Sequence, residues 1–235
     1  MLMNAIRTQD NYEGIDFMNP TITNICDDLN SSGIIGERGS IVFELGGIRV
    51  EIDNKDVMGG LLQSWISAWF KSRSYEVEPN PDTQKFPDFN FSNGMKIELK
   101  TFNALASPAF DIANFNSYVQ SLLKMPERLD FEYLVLGYKS VNTSVSIEKV
   151  WAKKVWELCG SSETNILTLQ VKNGIPYNIR PKVWFHKDSN TFKTRKEFVF
   201  ALSKAIKKFD VKGIDGSTWF DGVSELYQKR TGLQI

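Results

Sequence analysis

Histidine occurs once, at His186, and cysteine twice, at Cys26 and Cys159. A lone histidine lacks the partners that a histidine-built zinc site or a Ser-His-Asp triad needs. It reads as a surface residue beside Lys187 and Asp188. The two cysteines lie far apart with no CxxC spacing, which excludes a disulfide framework and a zinc ribbon. They read as reduced thiols in a cytosolic protein. No apolar run reaches the ~18 residues that span a bilayer. Residues 1–10 show no basic segment followed by an apolar stretch, so no secretory signal is expected and a cytoplasmic location is. Residues 33–39 contain glycines but no GK[ST], so no nucleotide cofactor and no ATP-driven action are expected.

Net charge is also absent: 28 basic residues balance 28 acidic ones. The balance is uneven along the chain. Residues 1–60 carry four basic and ten acidic side chains, whereas residues 180–212 carry ten basic and three acidic ones. A polyanion responds to the local field of such a segment. A basic run is also what a solvated helix face looks like. With 42% hydrophobic and 24% charged residues over 235 positions, the chain has the composition of one large globular domain.

The first 35 residues mix Asn, Asp, Thr and Ser with scattered apolar positions and give no element beyond a turn at residues 30–33. Residues 40–50 read as a strand or hairpin turning at Gly46-Gly47. Asp56 could cap a helix to about Phe70, with Val57, Leu61, Trp65 and Trp69 on one face. Three strand-like runs follow, at 75–78, 86–91 and 95–102, the last two joined by a turn at Ser92-Asn93-Gly94. A helix is expected from Asp111, with Ile112, Phe115, Val119 and Leu122 inward, stopping before Pro126. Residues 133–139 fit a buried strand and 145–152 another. A turn of helix is expected at 155–159. Residues 166–171 and 175–185 read as strands joined at Lys172-Asn173-Gly174. Thr194 to Glu197 form a capping box opening a helix with Phe198, Leu202, Ala205 and Phe209 inward. A last helix over 219–229 closes at Gly232. The order predicts an α/β (α+β) chain whose mixed sheet is flanked by helices.

The chemistry lies in Phe86-Pro87-Asp88 and Glu98-Leu99-Lys100. Two strands joined by a tight turn bring Asp88 near Glu98. Strand alternation puts Glu98 and Lys100 on one face and Ile97, Leu99 and Thr101 on the other. Two carboxylates are the hard oxygen ligands that Mg²⁺ prefers, and the Leu99 carbonyl could be a third. Such an ion polarises a phosphoryl group and acidifies water, and Lys100 could orient that water or offset developing charge. The set suits phosphodiester hydrolysis. A surface hairpin with a salt bridge would carry the same residues.

The pattern resembles the PD-(D/E)XK nuclease superfamily, through Pro87-Asp88, Glu98-Leu99-Lys100 and the helix, strands, helix and strand order. Residues 82–89, 98–103 and 108–115, together with Tyr177-Asn178-Ile179-Arg180-Pro181 and Trp184, look like type II restriction endonucleases of the NgoBV and NlaIV group. That likeness covers roughly residues 50–210. It implies a restriction-endonuclease-like core and Mg²⁺-dependent cleavage of double-stranded DNA by a homodimer at a short palindrome. It also implies a Glu or Gln from the preceding helix region at the metal site, here Gln63 or Glu51. Gln63 lies off the Leu61/Trp65 stripe, so solvent is the competing place for it. Pro81-Asp82 is a rival motif that reads better as a loop.

The expected organisation is a single nuclease domain, with its catalytic core over about 40–141 and a DNA-contacting part over about 142–235. Asn and Arg can read adenine and guanine in the major groove, and a two-stranded ribbon can enter it. Candidate contacts are Asn103, Asn173, Tyr177, Asn178, Arg180, Lys182, Lys187, Lys193 and Arg195. Three alternatives stay open: a repair or junction-cleaving nuclease of the same fold, a DNA-binding protein that does not cut, and a protein-binding module.

Overall fold

The computed structural model describes residues 19–52, 57–82, 86–161, 165–183, 185 and 190–235. Its frame is a six-stranded mixed sheet, in which β6 (Lys96–Asn103) and β8 (Glu132–Val141) are the parallel pair. On one side of that pair, β5 (Phe89–Phe91) and β4 (Val77–Pro79) continue antiparallel. On the other side lie β9 (Ser144–Lys154) and the short β1 (Gly39–Ser40).

Alternation along β8 shows how the sheet divides two cores. Leu134 and Leu136 join Ile97, Leu99, Phe89 and Phe91 under helices α1 (Ile22–Ser31) and α2 (Met58–Ser72). Tyr133 and Val135 face α3 (Phe115–Leu122), α4 (Val155–Leu158), α5 (Arg195–Lys208) and α6 (Trp219–Thr231). Burying apolar residues on both faces of a central strand is what a near-continuous run such as 133–138 specifies.

Several elements differ from the sequence reading. Helix α1 was not expected, yet its signals are local. Thr21 Oγ1 accepts the Asn24 N–H and Asn24 Oδ1 accepts the Thr21 N–H, both at 3.1 Å. Ile22, Ile25, Cys26 and Leu29 then share one buried face. In α2 the buried stripe is Met58, Leu62, Ile66, Trp69 and Phe70, one residue on from the expected Val57, Leu61 and Trp65. Leu61 and Trp65 instead border a side hollow with Ile34 and Ile41. The proposed cap Asp56 lies outside the described residues.

Helix α3 begins at Phe115, capped by Asn114, and not at Asp111. The reason is non-local: β7 (Ala113–Asn114) pairs with β11 (Ile175–Ile179), which pairs with β10 (Leu169–Lys172). After α3 the chain makes a 3₁₀ turn, Pro126–Asp130, and enters β8. Thr194 caps α5 as expected, its Oγ1 accepting the Glu197 N–H at 3.2 Å. Glu197 reaches back to the Lys193 N–H at 2.7 Å, one residue before the cap. Helix α6 ends on Gly232 in the left-handed conformation.

β2 (Val42–Leu45) and β3 (Ile48–Glu51) form a separate hairpin. Its turn residues Gly46 and Gly47 both have positive φ, which a type I′ hairpin turn demands. Both cysteines are free and buried. Among the described residues no helix is long and apolar enough to cross a membrane.

Candidate active site

The β5–β6 hairpin builds one wall of a cleft of about 860 Å³. Its turn is local chemistry: Gly94 takes φ 85°, and Asn93 Oδ1 accepts the Met95 N–H at 3.0 Å. Phe89 opposite Ile97 sets the register, which puts Asp88 one pair further on, beside Glu98. Ile97 and Leu99 point into the α1/α2 core, so Glu98 and Lys100 face the α3 side, into the cleft.

Four side chains there form two bonded pairs. Asp88 Oδ2 accepts the Leu99 N–H at 2.8 Å, and Asp88 Oδ1 accepts from Gln63 Nε2 at 3.0 Å. Lys100 Nζ donates to Glu98 Oε1 at 2.8 Å. Glu98 Oε2 is buried with no hydrogen-bond partner. Burial raises the Asp88 pKa above the ordinary carboxylate value, against the pull of the Leu99 N–H, Lys100 and Gln63. Burial also raises the Glu98 pKa, and the neighbouring Asp88 charge adds to it, while Lys100 and Arg128 oppose the rise. Two desolvated carboxylates share Lys100 as their near cation, and Glu98 Oε2 is left without a hydrogen-bond donor.

That geometry suits a divalent cation. Among the described residues no group of three or more His, Cys, Asp or Glu could hold a metal. A two-carboxylate site fits Mg²⁺, which keeps several waters and completes its shell with substrate phosphate. The orphaned Glu98 Oε2 offers the lone pair that such an ion would take up.

Gln63 therefore sits at the cleft and not in solvent, although it is off the apolar stripe of α2. Glu51 is elsewhere: it ends β3 and accepts from Thr143 Oγ1 at 2.6 Å. Asp82, of the rival Pro81-Asp82, lies in a bend beyond β4 and does not line the cleft. The opposite wall comes from residues 110–114, Ser117 and Tyr118 of α3, Met125 and Arg128. Tyr118 and Arg128 carried no motif, because their approach to Glu98 depends on contacts distant in sequence.

The expected DNA contacts scatter. Asn173 is exposed at the β10–β11 turn with φ 52°. Tyr177 is exposed, with Lys172 Nζ 3.8 Å from its ring centroid. Asn178 is buried and donates to Gln170 Oε1 at 3.2 Å, so it faces inward and not towards a groove. Arg180 Nε pairs with Asp111 Oδ1 at 2.8 Å and its Nη1 donates to the Ala109 carbonyl, which fastens β11 to the cleft rim. Lys182 Nζ donates to the Ser161 carbonyl. Asn103 Oδ1 accepts the Leu105 N–H at 3.0 Å where β6 ends. Lys193 is exposed before α5. Arg195 is held at Asp130 Oδ1, 2.7 Å away, between the rings of Trp156 and Tyr227, which makes it a packing residue of the α6 side. Lys187, with Trp184 and His186, lies outside the described residues.

Comparison with known proteins agrees with this arrangement. The family model for NgoBV restriction endonuclease matches residues 19–235. The chain is 34% identical over 215 residues to the type II restriction enzyme NlaIV of Neisseria lactamica, covering 88% of each. It is 30% identical over 171 residues to the type II restriction enzyme NgoBV of Neisseria gonorrhoeae, covering 71% of this chain and 92% of that one. The solved structure of NlaIV restriction endonuclease superposes with a TM-score of 0.83 at 32% identity, over 92% of this chain and 91% of the other. A matched sequence, a matched fold and a cleft of the right chemistry coincide: the chain belongs to the NgoBV restriction endonuclease family and is a type II restriction endonuclease.

Proposed function

We propose that the enzyme cuts both strands of duplex DNA at a short palindrome, with Asp88, Glu98 and Lys100 as its catalytic residues and Mg²⁺ as its cofactor. The observation that carries this is the desolvated pair Asp88 and Glu98, with Glu98 Oε2 buried and unpartnered beside Lys100. Glu98, Asp88 and the Leu99 carbonyl would hold the ion. When bound, it supplies charge neutralisation at the phosphate and lowers the pKa of water. Lys100 Nζ then orients the attacking water and offsets charge gathering on the phosphate oxygens. Gln63 fixes Asp88 through Oδ1, so the carboxylate does not swing away from Glu98.

The chain acts as one nuclease domain, its catalytic core over about 40–141 and its DNA-contacting part over about 142–235, in the cytoplasm and without a nucleotide cofactor. Asn173, Tyr177, Lys182 and Lys193 remain candidates for phosphate or base contact, as does Asn103 at the end of the catalytic strand. Lys187 is a further candidate from sequence.

A palindrome cut on both strands needs two such centres, which a homodimer supplies. The β2–β3 hairpin supports that association. Its register pairs Phe43 with Val50 and Leu45 with Ile48, so four apolar side chains share one face. They are 54%, 43%, 69% and 71% exposed, an apolar face with nothing of this chain over it among the described residues.

Digestion of phage DNA with and without Mg²⁺ tests the reading. Discrete fragments that require Mg²⁺ and share one palindromic end sequence are expected. Cleavage of branched DNA alone would move the enzyme to junction processing.

A further inference from the structure

We infer that Arg128, seated between Phe86 and Tyr118, is a DNA-phosphate ligand of the catalytic cleft. This deepens the proposed function and rests on the cleft being the centre that cleaves DNA.

Arg128 lies in the 3₁₀ turn between α3 and β8 and lines the cleft opposite Asp88 and Glu98. Its guanidinium carbon is 4.3 Å from the Phe86 ring centroid and 4.8 Å from that of Tyr118. Phe86 is itself stacked on Phe131, with centroids 5.2 Å apart and planes 7° from parallel. Rings on two sides of a guanidinium hold it in one orientation and strip its water. A single N–H set is used, Nη1 donating to Ser121 Oγ at 3.0 Å.

The other surface arginines of this region are paired: Arg195 with Asp130, Arg230 with Glu127 and Arg180 with Asp111. Among the described residues Arg128 makes no ion pair. Its Nε is buried with no partner. The Tyr118 hydroxyl beside it is also buried with no partner. Burial pushes the Tyr118 pKa well above its ordinary value, so the hydroxyl stays a neutral donor.

Four buried side-chain atoms lack partners among the described residues, and three of them, Glu98 Oε2, Tyr118 Oη and Arg128 Nε, belong to residues of this one cleft. A buried, unmet N–H on a half-buried cation costs stability unless a ligand takes it up. The ligand chemistry is fixed by the donors. Arginine offers a planar fork matched to phosphate oxygens, and the cleft already presents Lys100 and two carboxylates to a phosphodiester. The same donors could instead act on Glu98, whose pKa Arg128 lowers. The alternatives separate experimentally, because a phosphate ligand changes DNA affinity and its salt dependence whereas a Glu98 ligand changes the metal requirement.

The test uses the full-length enzyme, a duplex containing its cleavage site, and Ca²⁺ in place of Mg²⁺ to allow binding without turnover. Arg128→Met should weaken binding by about 10–100-fold, and lower the slope of log affinity against log salt by about 1. Arg128→Lys should keep the slope and lose affinity, because the charge stays and the stacked fork goes. Tyr118→Phe keeps the ring and deletes only the unmet hydroxyl. It should leave the melting temperature unchanged or raise it, yet weaken DNA binding by several-fold.

Unchanged affinity and slope in Arg128→Met, in a protein that melts cooperatively, overturn the inference. So does a shift confined to the Mg²⁺ concentration needed for half-maximal cleavage, which would assign Arg128 to Glu98. Failure of the wild type to cut DNA at all would instead defeat the proposed function itself.

Discussion

Lys100→Met is the most informative single perturbation, because it deletes one charge and keeps most of the side-chain volume. Lys100 Nζ stands 2.8 Å from Glu98 Oε1, with side chains only 19% and 12% exposed. At an effective dielectric of ~20, two unit charges at that distance attract by about 6 kcal/mol before desolvation is counted. The full amount is not lost, since Glu98 can take up a proton when its partner disappears. At pH 7.5, protonating an ordinary glutamate costs about 4 kcal/mol, which caps the penalty. A loss of about 3 kcal/mol is therefore expected without metal, a drop of about 6–12 °C in melting temperature for a chain this size.

The pH dependence gives the signature. The folded pKa of Glu98 already lies above its ordinary value, and losing Lys100 removes the largest effect that opposes the rise. A carboxyl whose folded pKa is raised contributes stability that is present at low pH and lost as pH climbs through that pKa. The deficit of Lys100→Met should thus be small near pH 5 and full near pH 8. Thermal melts in EDTA at pH 5, 6.5 and 8 measure it. A deficit under about 1 kcal/mol, or one equal at every pH, would refute the reasoning and mark the pair as an ordinary surface ion pair. Cleavage by the variant should fall by about 10²–10³-fold.

Further outcomes follow from the same geometry. Gln63→Leu removes the donor to Asp88 Oδ1 and should cost about 1.5–3 kcal/mol in metal-free melts. It should also slow cleavage, whereas an unaffected rate would leave Gln63 a purely packing residue. Leu45→Glu on the exposed hairpin face should halve the mass seen by light scattering without lowering the melting temperature of the monomer; an intact dimer would place association elsewhere. Arg195→Met breaks the bond to Asp130 Oδ1, while Tyr227 still donates to Asp130 Oδ2 at 2.6 Å. It should destabilise by about 1–3 kcal/mol and leave the salt slope of DNA binding unchanged, and a reduced slope would return Arg195 to the DNA surface.

What could be read in advance was what depends on local spacing. The Asn93-Gly94 turn and the alternation of Ile97, Glu98, Leu99 and Lys100 are sequence-local, so the face shared by Glu98 and Lys100 follows from the strand period. Gly46-Gly47, the Thr194 cap and the Gly232 stop are equally local. α1 is hard to read despite its Thr21/Asn24 cap, because its polar exposed residues mask the spacing of Ile22, Ile25 and Leu29. The α2 stripe lies one residue on from the one the apolar pattern suggests: Trp65 weighs heavily in that pattern, but the sheet beneath takes up Leu62 and Ile66. The start of α3 could not be read locally, since Ala113 and Asn114 are claimed by a strand more than sixty residues later. The basic C-terminal segment shows the same limit. Its charges are visible in sequence, but Trp156, Tyr227 and Asp130, which capture Arg195, come together only in the fold. Arg128 is the converse case, a cation with no motif whose position in the cleft is a tertiary product.

The most direct test of the account compares wild type with Asp88→Asn. Asparagine can keep the Leu99 N–H bond at one oxygen and donate to Gln63 if that amide turns over, so the fold should survive. The account predicts DNA binding in Ca²⁺ within several-fold of wild type, together with loss of Mg²⁺-dependent fragments by at least about 10³-fold. Fragments of the same pattern, made by the variant at a rate near that of wild type, would contradict it and remove Asp88 from the catalytic centre.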